Sequence, residues 1–110
     1  MNKKNVRHLL NSLKKNPNDS FSKFAIALEL LKIDEVSKAK ILFESVLEQD
    51  PDYLGVYYHL GKLYENSGRQ NDAERLYQNG LKLAEKQHND RTLAELKDAI
   101  ENLNTELNNE

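Results

Sequence analysis

The residues best suited to chemistry in this sequence are three histidines, His8, His59 and His88. A helical zinc site of the His-Glu-x-x-His type needs two of them four residues apart, so that both rings reach one metal. No two stand at that spacing. The chain has no cysteine, so it offers neither a thiolate ligand nor a disulfide framework. It contains no Gly-x-Ser-x-Gly elbow, no phosphate loop and no Gly-x-Gly-x-x-Gly turn. Carboxylates such as Glu29, Glu65 and Asp98 read as ordinary helix-surface acids, and no motif pairs them. No catalytic residue, no metal ligand and no cofactor is expected, and the chain is not read as an enzyme.

Composition bounds the alternatives. A chain of 110 residues is one domain by length and buries about two thirds of its unfolded surface. No window of 18 apolar residues suggests a membrane span. The opening Met1-Asn2-Lys3-Lys4 leads into no apolar run, so no secretory signal is expected. With cysteine absent, a cytoplasmic location is the expectation. The net charge of −2 and the pI of about 5.9 argue against a general nucleic-acid binder. The charge is unevenly placed. Residues 1–18 hold Lys3, Lys4, Arg7, Lys14 and Lys15 and no acid. Residues 88–110 hold Asp90, Glu95, Asp98, Glu101, Glu106 and Glu110 against Arg91 and Lys97.

The elements are helical. Two proline and four glycine residues suit an all-α chain. One stretch organises the rest: Tyr57, Leu60, Gly61 and Tyr64, then Gly68, then Ala73 and Tyr77. Gly61 sits inside a helical pattern, where glycine costs about 1 kcal/mol relative to alanine. That cost is met where two helices approach closely, and Ala73 is the expected small partner. Gly68 falls between the helices, where a left-handed residue can end the first. Asn71 is a candidate cap for the second, with Glu74 as its capping-box partner.

These residues resemble the tetratricopeptide repeat, a helix–turn–helix unit of about 34 residues. Shifted back by one repeat, the frame places Ile26, Ala27, Leu30, Asp34, Ala39 and Phe43 at the matching positions. Lys23 stands where Tyr57 provides the leading aromatic, with Phe24 beside it. Pro51 ends the first repeat, and Glu85 replaces the proline that would end the second. The segment Asp52–Glu65 is also similar to small stand-alone bacterial proteins of the family. The resemblance implies a right-handed α-solenoid of about six helices in a single domain, residues 1–110. Its parts are an N-terminal capping helix (3–16), repeat one (20–53), repeat two (54–87) and a C-terminal capping helix (90–108).

Taken in order, Val6, Leu9, Leu10 and Leu13 make one apolar stripe on helix 3–15, and Pro17 stops it. Asn18, Asp19 and Ser20 are candidate caps for helix 21–33, and Ser37 for helix 37–49. Helices 53–66 and 71–86 build the second repeat. Asp90 is the candidate cap of helix 91–107, whose seam is Leu93, Leu96, Ile100, Leu103 and Leu107. A short coiled coil is the other reading of that seam. Gly80 stands where the family usually has alanine, so Gly80→Ala is expected to stabilise by about 0.5–1 kcal/mol.

Helix 21–33 is apolar nearly all round, which demands cover on two faces. By resemblance, first helices line a concave groove. The tentative peptide-binding set is therefore Phe21, Phe24, Leu28 and Leu31 on one helix and Tyr58, His59, Lys62 and Glu65 on the other. Helix 3–15, a second copy or a client peptide could cover the apolar stripe, and the client is the preferred occupant. Some family members clamp a partner's carboxylate with Lys and Asn. The corresponding places look like Phe24, Leu28 and His59, so that clamp is not expected. The function read from the sequence is a non-enzymatic module binding a protein or peptide. The alternatives are a self-associating scaffold, possibly a homodimer, and an adaptor to an anionic surface through the basic first helix.

Overall fold

The computed structural model describes the backbone from Lys3 to Asn108 and side chains from Val6 to Leu107. Lys3, Lys4 and Glu110, counted among the charges at the two ends, have side chains outside the described residues. Six α-helices and no strand occupy the described residues. They fall into two compact units, one ending at Tyr53 and the other starting at Leu54.

The first unit holds α1 (Lys3–Lys15), α2 (Ser20–Lys32) and α3 (Val36–Gln49). α2 packs against both α1 and α3. Its first turn is fixed by Asp19, whose carboxylate accepts from the backbone N–H of Ser22 at 3.5 Å and from the Ser22 hydroxyl at 2.7 Å. Ser22 is thereby satisfied although it is buried. α2 ends at Asp34, which takes the left-handed conformation (φ 62°). The Glu35 N–H then returns to the Leu30 carbonyl at 2.9 Å, the closing bond of a Schellman turn. Ile26 and Ala27 on α2 and Ala39, Phe43 and Val46 on α3 form the buried seam.

Lys23 replaces the leading aromatic with a polar tie. Its ammonium donates to Ser45 Oγ at 2.9 Å and to Gln49 Oε1 at 2.8 Å. The Gln49 amide in turn donates to the Asn18 carbonyl at 2.7 Å and Ser20 Oγ at 2.9 Å. Phe24, one residue along, supplies the aromatic contact instead: its ring meets the Phe43 ring edge-on, with centroids 5.6 Å apart.

The second unit holds α4 (Gly55–Asn66), α5 (Gln70–Lys86) and α6 (Asp90–Asn108). α5 packs on both neighbours, and α4 also touches α6. Val56, Tyr57, Leu60, Gly61 and Tyr64 on α4 face Ala73, Leu76, Tyr77, Gly80 and Ala84 on α5 as buried rows. Leu96, Ala99 and Leu103 are the buried row of α6. Gly68 ends α4 at φ 84°, and the Arg69 N–H reaches back to the Tyr64 carbonyl at 2.8 Å. The same turn closes α5, with His88 left-handed at φ 56° and the Asn89 N–H on the Ala84 carbonyl at 3.0 Å. The sequence did not mark His88 for that role.

Three cap expectations need correction. Ser37 lies inside α3, where Glu35 precedes the helix with no side-chain cap. Asn71 lies inside α5, and Arg69 holds the cap position, also with no side-chain cap bond. Arg69 fixes that corner differently. Its guanidinium lies 3.9 Å from the Tyr64 ring centroid, and its Nε donates to Asp72 at 2.9 Å. For α6, Asn89 and not Asp90 is the cap, its Oδ1 accepting from the Thr92 N–H at 3.0 Å.

Both helical glycines of the second unit mark close contacts. The Tyr77 ring fills the place where a Gly61 side chain would start; Tyr77 Cδ1 is 2.8 Å from that position. Gly61 thus makes room for the Tyr77 ring, where Ala73 was the expected partner. A side chain at Gly80 would start 2.7 Å from Tyr57 Cβ and 3.1 Å from Leu96 Cδ1. This reverses the expectation for Gly80→Ala, because helix propensity is outweighed by the collision.

Candidate functional site

On α4, positions four and three residues apart put Tyr58, Lys62 and Glu65 on one face. The Lys62 ammonium lies 5.7 Å from the Tyr58 ring centroid and 4.0 Å from Glu65 Oε1. Glu65 Oε1 also accepts from the Tyr77 hydroxyl of α5 at 2.8 Å. The Glu65 side chain is only 10% exposed, so the carboxylate is fixed in place. Burial first, and then this hydrogen bond to Glu65, push the Tyr77 phenol well above its ordinary range and keep it protonated as a donor.

His59 meets Tyr58 edge-on, with ring centroids 5.4 Å apart. Burial lowers its pKa, and Glu95 on α6 works in the opposite direction. His59 thus belongs to the region where α4 meets α6, whereas Tyr58, Lys62 and Glu65 form the polar cluster. The cluster holds a donor, an acceptor and a cation in fixed places. It can hydrogen-bond and orient a ligand.

In the first unit, the four apolar candidates do not share one environment. Phe21 is 63% exposed. Leu28 and Leu31 are half-buried. Phe24 is held between the rings of Phe43 and Tyr53, the latter with its centroid 5.1 Å away. The Tyr53 phenol is itself pushed up by burial and by the nearby Asp19 and Asp50. Phe24 is therefore a packing residue of the α2–α3 hairpin, and Phe21 is the accessible aromatic of α2.

The repeat-defining residues lie where close packing needs them. Ala27, Ala39, Phe43, Leu60, Ala73 and Tyr77 are fully buried, Tyr57 and Tyr64 nearly so, and Pro51 is exposed in the turn after α3. Two open grooves had no sequence signal of their own. One, of about 310 Å³, lies between α1 and α2 and is lined by His8, Leu9, Phe21, Ala25 and Glu29. The other, of about 350 Å³, lies between α5 and α6, with Leu81 and Ile100 among polar residues such as Gln78, Lys97 and Asn104. Among the described residues, no group of three or more His, Cys, Asp or Glu is placed to hold a metal ion. No helix among them is long and apolar enough to cross a membrane.

Antiparallel helix pairs joined by left-handed turns, with small residues at the crossings, define a helical-hairpin repeat protein. Residues 34–100 match the family model described as Tetratricopeptide repeat, and the chain belongs to that family, with its all-α solenoid fold. A crystal structure of a tetratricopeptide repeat domain protein from Salinibacter ruber is 45% identical. The match covers 79% of this chain and 97% of that one, with a TM-score of 0.77. A solution structure of a tetratricopeptide repeat domain protein from the same organism is also 45% identical, covering 80% and 89%, with a TM-score of 0.73. A protein from Bordetella parapertussis is 20% identical over 92% and 88% of the two chains and has a TM-score of 0.75, a likeness of fold. No match was found among curated proteins. Folds of this family generally serve protein–protein interaction and are typically non-catalytic.

Proposed function

We propose that this protein is a non-enzymatic interaction module that binds a peptide or helix of a protein partner on the first-helix faces of its repeats. The observation that carries this reading is the α4 cluster. Tyr58 and Lys62 are presented over a Glu65 carboxylate that Tyr77 fixes from the neighbouring helix. Pre-positioned polar groups orient a ligand with less entropy lost on binding than mobile ones. In the first unit, Phe21 and the half-buried Leu28 offer apolar anchorage. The cytoplasm is the compartment that goes with this role.

The test is selection from a random peptide library, followed by fluorescence anisotropy with the selected peptide. Tyr58→Ala and Lys62→Gln are expected to weaken binding at least tenfold while the protein stays folded by circular dichroism. Unchanged affinity in both variants would remove α4 from the binding surface.

A further inference from the structure

The two open grooves lie beside helices of opposite charge. α1 presents Arg7, Lys14 and Lys15, all exposed, and its described side chains include no acid. None of the three has an ion pair among the described residues, whereas Lys32, Lys38, Lys62, Arg69, Arg75 and Arg91 all do. α6 exposes Glu95, Asp98, Glu101 and Glu106 against Arg91 and Lys97, and so carries a net negative charge. Only Glu95 of these acids is paired, with Arg91 on the same helix at 3.4 Å.

The register says what shape each groove accepts. Leu9 lies two repeat lengths before Tyr77, so it occupies on α1 the place that Tyr77 occupies on α5. On α5 that place is laid against a first-type helix, through the Tyr77–Gly61 contact. On α1 it opens into the groove shared with Phe21 and Ala25. The groove is therefore a seat for a helix of the α4 or α6 type. The α5–α6 groove, floored by Leu81 and Ile100, lies alongside α6 and offers a seat for a helix of the α1 type.

From this pairing of shape and charge we infer that the chain associates head to tail with a second copy of itself. α6 of one copy docks in the α1–α2 groove of the next, and the α1 of that next copy lies along the α5–α6 groove of the first. The net charges of the two helices are opposite and each helix has a groove to enter, with Glu29 in the α1–α2 groove and Lys97 in the α5–α6 groove set against that trend. The two surfaces differ, so the contact is heterologous and joins further copies into a ring or an open chain. The exposed charges make it salt-sensitive. This goes beyond the peptide-binding reading: it leaves Tyr58 and Lys62 uninvolved, while Phe21 lines the α1–α2 groove, so that a second copy and a peptide compete for it.

Two charge-reversed variants test it by analytical ultracentrifugation at low salt. One carries Arg7→Glu, Lys14→Glu and Lys15→Glu; the other carries Asp98→Lys and Glu101→Lys. All five positions are exposed, and circular dichroism confirms that each variant is folded. The wild type is expected to form assemblies that dissociate as salt is added. Each variant alone is expected to sediment as a monomer, because its two surfaces now carry the same sign. An equal mixture is expected to recover the wild-type mass, since every contact between unlike variants joins opposite charges. A wild type that stays monomeric, variants that assemble alone, or a mixture that stays monomeric would each overturn the inference. Peptide binding by a monomeric wild type would leave the functional reading standing while this one fell.

Discussion

The ring of Tyr77 lies directly over Gly61, with Cδ1 2.8 Å from where a Gly61 side chain would begin. This contact locks α4 to α5 and places the Tyr77 hydroxyl on Glu65. The same residue pair thus sets the helix spacing and positions the polar cluster.

Gly61→Ala should destabilise the second unit by about 1–3 kcal/mol, the usual cost of overpacking. Gly61→Leu should be worse. The ring cannot retreat without abandoning Glu65, so strain and the lost hydrogen bond come together. Chemical denaturation measures the effect. An alanine variant as stable as wild type would mean that the Tyr77 ring has another place to go.

Gly80→Ala carries the opposite sign from its sequence expectation. The gain of roughly 0.5–1 kcal/mol from helix propensity competes with a 2.7 Å approach to Tyr57 Cβ. Both Tyr57 and Leu96 hem the position in, so a net loss of about 1–2 kcal/mol is expected. A rise in melting temperature would show that α5 moves away from Tyr57 on α4 and Leu96 on α6 without cost.

Phe21 and Phe24 separate binding from folding. Phe24→Asp places a carboxylate among the rings of Phe43 and Tyr53 and should cost the first unit about 2–4 kcal/mol. Phe21→Asp changes a side chain that is already in water and should alter stability by no more than about 0.5 kcal/mol. Parallel thermal melts decide it. Equal losses would place Phe21 in the core as well.

His59 gives the second unit a pH dependence. Its folded pKa lies below its unfolded value because of burial, so the folded state binds fewer protons near pH 6. Stability is therefore full above the ordinary histidine range and falls as pH drops from about 6.5. His59→Gln should flatten the stability profile between about pH 7 and pH 5. Identical slopes in the two proteins would contradict this assignment.

Much of this fold was legible because packing imposes spacing. Gly61, Ala73 and Tyr77 must recur at fixed intervals for two helices to meet, and Asp34 and Gly68 share one turn at the same interval. The caps were less legible. Ser37 and Asn71 are good capping residues by type, yet α3 and α5 begin before them. Arg69 secures the start of α5 by stacking on Tyr64, a contact that no local pattern announces. The apolar stripe of α2 divides in a way its spacing did not announce. Helical spacing alone put Phe21 and Phe24 on one face, but Lys23 turns to Ser45 and Gln49, and Phe24 takes over the aromatic contact with Phe43. Grooves also escape a one-dimensional reading, since they belong to helix pairs.

The most direct test of the binding account is a chemical-shift titration of the labelled protein with its selected peptide. The account predicts that the largest changes cluster at Phe21 and Leu28 on α2 and at Tyr58, Lys62 and Glu65 on α4. The buried rows at Ala39, Phe43 and Ala73 should move little. Changes confined to α3 and the outer face of α5, with those α2 and α4 residues unmoved, would contradict it.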